Sequence, residues 1–514
     1  MKTFSLARAQ GAKNSGSKPL GERLMIRKTV LATAILGALG GLYGCSEGDE
    51  STITIDAPTN NTTNPPAGGD GGTGGDGSSG VSQNCPDWSG AKNRDADGND
   101  VCALPAQISQ NRTLDNDIVW LMEGRVTVGN GNAEIGADGE LTSGNALQNV
   151  TLTIQEGTEI KGATGTFANL LITRGSRIQA IGTADAPIIF SSDDPGYDGS
   201  GEWGGLIIHG FGSHNQCGAD TCNIDSEGES GFAGGFDPND DSGTLSYVIV
   251  TEGGFEFSVG NEINGISLMS VGKGTQIDHI QVNDNSDDGI EFYGGEVDVK
   301  YGVFTGNLDD SVDWDEGFSG NLQYVLVKQN DSVSGNAFEM DTQGNPEPLS
   351  KPTVANLTII ADGVEGDEEE MIVFKAGSGG FFHNTVFTVA DTNTTIQNCV
   401  EVQGADSEAL INTALVVNNA IADCASGEGT GNIGNATLDA TTIVQVNAQL
   451  DENLASQAAE ARLSAPISWT EINGIYSESL ADGDFLDETD FIGAVNPDGS
   501  DVWWQGWTLP GTLD

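Results

Sequence analysis

Asn264-Gly265-Ile266-Ser267-Leu268, Asp288-Gly289-Ile290-Glu291-Phe292, Asp310-Ser311-Val312-Asp313-Trp314 and Asn336-Ala337-Phe338-Glu339-Met340 repeat one pattern at offsets of 24, 22 and 26 residues. A turn former and a small residue precede three residues whose outer two are apolar, the alternation of a strand with one covered face. A second register interleaves with it: Leu245, Val248 and Val250; Ile277, Ile280 and Val282; Leu322, Val325 and Val327; Val354, Leu357 and Ile359. Val299, Gly302 and Phe304 continue it with glycine in an apolar place. A period in the twenties, built from short strands and turns, predicts a parallel β-solenoid whose coils rise about 4.8 Å each, stacking like on like. A propeller needs a repeat of about 40 residues or more, and a leucine-rich horseshoe its own leucine and asparagine spacing. Neither is present.

Outward from this array the text changes twice. Cys85 to Trp120 reads as an N-terminal cap (83–120), followed by the solenoid (121–440) and by C-terminal coils and a cap (441–514). In that last stretch a candidate helix, 452–463, and Trp503, Trp504 and Trp507 are expected to close the far end, because open solenoid ends need covering. Residues 45–82 are Gly, Ser, Thr, Asn, Pro and Asp with little that is apolar, a flexible tether. Before it, Arg27 and Lys28, the apolar run Val30 to Leu42, and Gly44-Cys45 form an export signal (1–44) too short to span a bilayer permanently. Met25 stands where such a signal would normally begin, an alternative start to Met1.

The formal charge of −56 excludes the basic-patch functions, since such a chain repels nucleic acid and anionic lipid. A hydrophobic fraction of 37% still suffices for a core, so the acids read mainly as a solvated surface suited to salty water. Seven cysteines leave six if Cys45 is lipidated, and these fall into local pairs: Cys85 with Cys102, Cys217 with Cys222, Cys399 with Cys424. Export predicts disulfides, with connectivity left open by spacing.

Leu42-Tyr43-Gly44-Cys45 resembles the lipobox of bacterial lipoproteins, although Tyr43 is bulkier than the usual residue; Ser46 after the cysteine implies sorting to the outer membrane. Leu152 to Gly162, Leu171 to Ile178 and Pro187 to Phe190 resemble the opening coils of right-handed parallel β-helices. Glu202-Trp203-Gly204-Gly205-Leu206-Ile207-Ile208, Asn261 to Gly265, Ser286 to Phe292 and Gln505-Gly506-Trp507-Thr508 are similar to signatures of a poorly characterised family of β-helical surface lipoproteins. The resemblance covers Cys85 to Thr508 and implies an all-β, right-handed parallel β-helix outside the cytoplasm, at the cell surface or the periplasmic face. It implies no settled activity.

If Ile290, Val312 and Phe338 point inward, then Glu291, Asp313 and Glu339 form one outward column. Such carboxylates repel one another unless a cation, proton or base lies between them. Lys375 is a candidate for the next member of that column. Asp287, Asp288, Asp309 and Asp310 gather hard oxygens just upstream, a candidate calcium site, although Asp also favours turns for its backbone hydrogen bonding alone. Tyr293 and Trp314 are candidate binding aromatics, among Trp203, Tyr301 and Phe318 nearby. Paired aspartates are similar to a motif of β-helix polygalacturonases, but the accompanying Gly-His-Gly and Arg-Ile-Lys are absent. A pectate-type lyase normally needs an arginine or lysine base beside its acids, and Ser242 to Phe338 offers only Lys273, Lys300 and Lys328 and no arginine. His209, His214, Cys217 and Cys222 could ligate zinc, against which oxidation of the two cysteines competes. His279 and His383 stand singly in strand-like runs, and Asp95 to Asp100 resembles a calcium loop with its glycine displaced. The sequence thus favours a surface binding module for a polysaccharide or protein, with a polysaccharide lyase or hydrolase and a transporter accessory lipoprotein as alternatives.

Overall fold

Strands Ile266–Met269, Ile290–Tyr293, Val312–Asp315 and Phe338–Met340 pair in parallel, each residue opposite its counterpart in the repeat: Ile266 with Ile290, Ile290 with Val312, Val312 with Phe338. They belong to a ten-stranded parallel sheet running from Gln107–Ile108 to Asn398–Val402, here called the third face. The computed structural model describes residues 80–257, 262–330, 335–361, 370–389, 396, 398–422, 443–445, 485–489, 491–496 and 502–513, all within the unit Gly75–Asp514. The export signal, Cys45, most of the tether, Cys424 and the candidate helix 452–463 lie outside these residues. No helix among the described residues is long and apolar enough to cross a membrane.

The other large sheet folds into two faces. Its long strands Gly243–Thr251, Gln276–Asn283, Asp298–Thr305, Asn321–Lys328, Thr353–Ala361 and Gly380–Val389 each contain one left-handed residue: Tyr247, His279, Tyr301, Tyr324, Asn356 and Asn384. Residues before the bend in Gly243–Thr251 pair with Arg177–Ile181, and those after it with Ile188–Ser192, so one strand serves two faces. Two apolar residues three apart mark this corner in the sequence: Leu245 and Val248 flank Tyr247 and are both fully buried. Non-glycine side chains resist positive φ. Here stacking offsets the cost, with ring centroids of Tyr247 and His279 4.3 Å apart, His279 and Tyr301 4.4 Å, and Tyr301 and Tyr324 4.9 Å. Chain passage over first, second and third faces, repeated, gives a parallel β-helix. Its core is the stacked inward set, including Ile290, Phe292, Val312, Trp314 and Phe338. Gly302 interrupts the apolar register because the Phe304 ring fills its place: a Cβ there would stand 2.9 Å from that ring.

At the N-terminal end, Gly90–Ala91 pairs antiparallel with Asp100–Ala103, and Trp88 stacks on Trp120 at 5.3 Å, covering the first coil. The Cys85–Cys102 disulfide fastens this cover. Parallel pairing already begins at Asp100–Ala103 with Ile118–Met122, inside the stretch read as a cap, because buried Cys102 and Trp120 start the stacked core.

The tryptophans of the C-terminus do not sit over the last coil. Trp504, Trp507 and Leu509 pack with Ile249, Val303, Leu326 and Ile360, outward residues of the second face. The described segments 485–489, 491–496 and 502–513 run along the left-handed corner as a strap. Asp487 accepts from Lys300 at 2.9 Å, Gly493 donates to the Asn384 carbonyl at 2.8 Å, and the Leu509 amide donates to Gln281 at 2.7 Å. The outward apolar residues of these middle coils explain the placement, since the strap removes them from water.

Candidate functional site

The third face turns two columns of side chains outward. Along the first, Leu171, Ile207, Ser267, Glu291, Asp313, Glu339, Val373 and Glu401 stand in register. In the early coils this column is apolar, and Leu171 and Ile207 pack with Ala233, Ile263 and Met269. Carboxylates begin where that cover ends. The second column, two residues on, holds His209, Met269, Tyr293 and Asp315, and its backbone ladder continues through Asp341 to Lys375.

Lys375 is therefore not the next member of the Glu291–Asp313–Glu339 column; Val373 is, because the strand Glu370–Phe374 pairs Val373 with Glu339. Lys375 reaches across from the neighbouring column instead. Its ammonium bonds Glu339 and lies 3.8 Å from Asp341.

The turn acids join the column from the side. Asp288 and Asp310 are stacked on successive coils, where Asp288 accepts from the Asp310 amide at 3.1 Å and Asp310 from the amide of Asn336. This ladder is the structural reason for acids at these turns. It does not use all their oxygens. Three groups bring one ligand atom per residue within 4.8 Å of one another: Asp287, Asp288 and Asp309; Asp288, Glu291 and Asp313; Asp310, Asp313 and Glu339.

These acids are not a solvated surface. Asp288, Glu291, Asp310, Asp315 and Asp341 are all buried, while Asp309 remains exposed at the lip. Burial, then the charges of Asp313, Glu291 and Asp310, holds the Asp288 carboxyl well above the ordinary range. Asp310 is raised by burial, then Glu339 and Asp309, and Asp313 by burial, then Glu291, Asp310 and Glu339. Burial lifts Asp315 to about 7 and Asp341 to about 6. Burial alone would lower Lys375, but its hydrogen bond to Glu339 and the charges of Glu339, Asp341 and Asp313 raise it, so it stays protonated. Asp313 Oδ1 and Asp341 Oδ1 are shielded from water and have no hydrogen-bond partner among the described residues. A buried anionic oxygen without a donor is costly unless protonated or bound to a cation. Calcium takes oxygens at roughly 2.3–2.6 Å, so two oxygens on one ion stand at most about 5 Å apart, a span these groups meet.

Tyr293 is half-buried beside the column, its hydroxyl donating to Glu291, which also accepts from Asn264 at 2.6 Å. Trp314 is not a surface aromatic. It alternates with outward Asp313, is fully buried, and packs against Phe338 and Phe382 at centroid distances of 6.0 and 5.9 Å. Trp203 and Phe318 are also fully buried.

The zinc alternative is excluded by a Cys217–Cys222 disulfide. His209 bonds Ser226 at 2.9 Å and Ser230 at 3.1 Å, and His214 bonds Glu316 at 2.6 Å. Cys399 is disulfide-bonded, with Cys424 outside the described residues. In the Asp95 loop, Asp95 accepts from Asn99 and Asp97 amides at 2.8 and 3.0 Å, a self-satisfied turn rather than a ligand cradle. Asp315 and Asp341 escape the sequence reading, although the strand period of two points from Asp313 and Glu339 to both.

A family model described as a pectate-lyase-like β-helix domain matches residues 138–474. No curated protein and no solved structure matches the chain. The matched stretch contains the third face from Leu170 to Val402 and every member of the acidic column, and the chain belongs to the pectate-lyase-like β-helix family.

Proposed function

We propose that this β-helix is an exported, lipid-tethered module of the outer membrane that binds a polymer or protein along its third face, with calcium ordering the acidic column. The observation that carries the reading is the column of buried Glu291 and half-buried Asp313 and Glu339, joined by buried Asp288 and Asp310 in groups of three whose oxygens come within 4.8 Å of one another. Mere adaptation to salt would leave such acids in water. The Cys45 signal and two disulfides, Cys85–Cys102 and Cys217–Cys222, support the oxidising compartment. A rigid, repetitive surface suits an extended ligand, a polysaccharide or a protein, better than a small one.

The family resemblance favours a second reading, cleavage of a polysaccharide. β-Elimination requires a neutral base beside the acids. Among the described residues, Lys375 is the base of this column, and Glu339 holds it protonated. Lys300 pairs with Asp487 under the strap. Binding is thus better supported than elimination.

The deciding experiment titrates calcium into the purified protein by calorimetry and follows melting with and without chelator. A rise in Tm that Asp288→Asn and Asp313→Asn abolish supports the reading, and glycan and protein screens then run calcium-loaded. If calcium does no more than sodium chloride, the calcium reading fails. Depolymerisation of an acidic polysaccharide by the wild type would favour the second reading.

A further inference from the structure

The two carboxylate groups that share Asp313 differ in one respect. Around Asp288, Glu291 and Asp313 the charges acting on Asp288 are all negative, from Asp313, Glu291, Asp310 and Asp287. The neutral donors there, Asn264 and Tyr293, both serve Glu291. Around Asp310, Asp313 and Glu339 a cation is already built in. Lys375 bonds Glu339 and lies 3.8 Å from Asp341; its charge reaches Asp309, Asp310 and the shared Asp313, but is not among the charges that act on Asp288.

Two buried oxygens point to a ligand independently of the clustering. Asp313, which both groups share, is half-buried, but its Oδ1 is shielded from water and meets no donor among the described residues; Asp341, 5% exposed in the neighbouring column beside Lys375, likewise has an Oδ1 without a donor among them. Hydrogen bonding within the protein therefore leaves the column incompletely satisfied.

We infer that Lys375 is the resident counter-ion of the lower group, so that the column takes one divalent cation, at Asp288, Glu291 and Asp313, and Lys375 sets that capacity. This rests on the calcium reading above. The coils are about 4.8 Å apart, so an ion in the upper group and the ammonium in the lower sit about one step apart. A divalent ion in the lower group would meet the ammonium already there, and it is this repulsion, which Lys375→Met removes, that closes the lower group to a second ion. The lip group, Asp287, Asp288 and Asp309, shares Asp288 with the upper group and competes for the same ion.

The test counts bound calcium by equilibrium dialysis and calorimetry on the purified full chain, scoring only sites that Asp313→Asn abolishes. Wild type should bind one ion, Lys375→Met two, and Lys375→Arg one, with Glu339→Gln in the Lys375→Met background removing the second. Two ions in wild type, or one in Lys375→Met with unchanged affinity, would overturn the inference and leave the calcium reading standing. No such site in wild type would overturn the calcium reading itself. If Lys375→Met does not fold without calcium, the wild-type and Lys375→Arg counts still decide.

Discussion

Glu291 and Asp313 stand directly opposite one another on consecutive coils, two outward carboxylates in strict register, the first buried and the second half-buried. Such an arrangement ties folding to protons and to cations. In the metal-free protein the raised carboxyls, Asp315 to about 7 and Asp341 to about 6, bind protons more tightly when folded than when unfolded. Their stabilisation is fully present below the ordinary Asp value of 3.8 and is lost as pH rises through about 6 to about 7. In chelator, Tm should therefore be higher near pH 5 than near pH 8, with Asp315→Asn and Asp341→Asn each flattening the slope. A Tm that climbs steadily with pH over that window would contradict the assignment.

Arg174 is fully buried, and among the described residues no carboxylate pairs with it. Its guanidinium donates to the carbonyls of Gly131, Ala133, Cys222 and Gly234 at 2.8 to 3.0 Å, pinning the Cys217–Cys222 excursion to the solenoid. Arg174→Leu leaves those carbonyls without donors and should cost about 3 kcal/mol or more in chemical denaturation. Arg174→Lys should rescue little, since one ammonium cannot reach this fan of acceptors.

Trp507 is 2% exposed and meets Tyr247 and His279 edge-on at 5.7 and 5.9 Å. Trp507→Ala should destabilise by about 3–5 kcal/mol. Hydrogen exchange should then accelerate first in Gly243–Thr251 and Gln276–Asn283, whose outer side the strap covers. Uniform acceleration over all coils would argue against a local clasp.

Trp314 and Tyr293 should separate cleanly. Trp314→Ala removes a core ring and should lower stability by about 3–5 kcal/mol, with calcium affinity of the folded fraction little changed. Tyr293→Phe removes a donor to Glu291, keeps the packing, and should alter calcium affinity several-fold at nearly constant Tm. Calorimetry paired with thermal melting reads both.

The repeat was legible because inward residues must be apolar at every coil: Ile266, Ile290, Val312 and Phe338 announce the third face by themselves. The corner left a trace too, in the three-residue gap between Leu245 and Val248, but nothing local says that Tyr247 or His279 takes positive φ. That depends on a ring above and below. Lys375 was misplaced by two residues because a one-dimensional column cannot show which residue after the preceding loop resumes pairing; Val373 does. Trp503, Trp504 and Trp507 looked like an end cover because apolar rings near a terminus have no direction in sequence. Asp288 and Asp310 stand out in the sequence, while their burial does not, since it depends on the stacking of neighbouring coils, where the Asp310 amide meets Asp288 and the Asn336 amide meets Asp310.

The strap has a further consequence. Its described residues reach from Asn384 back to Gln281 and Tyr247, across six successive bends of the corner, with each bond addressed to a particular coil. β-Helices lengthen readily by duplicating a turn, because every turn presents the same edge to the next. Here an extra turn between Gln281 and Asn384 would put Leu509 and Gly493 out of step with their partners by about 4.8 Å. The C-terminus thus acts as a tally of the coils it crosses, and this stretch of the protein cannot grow or shrink by a turn unless the strap changes with it.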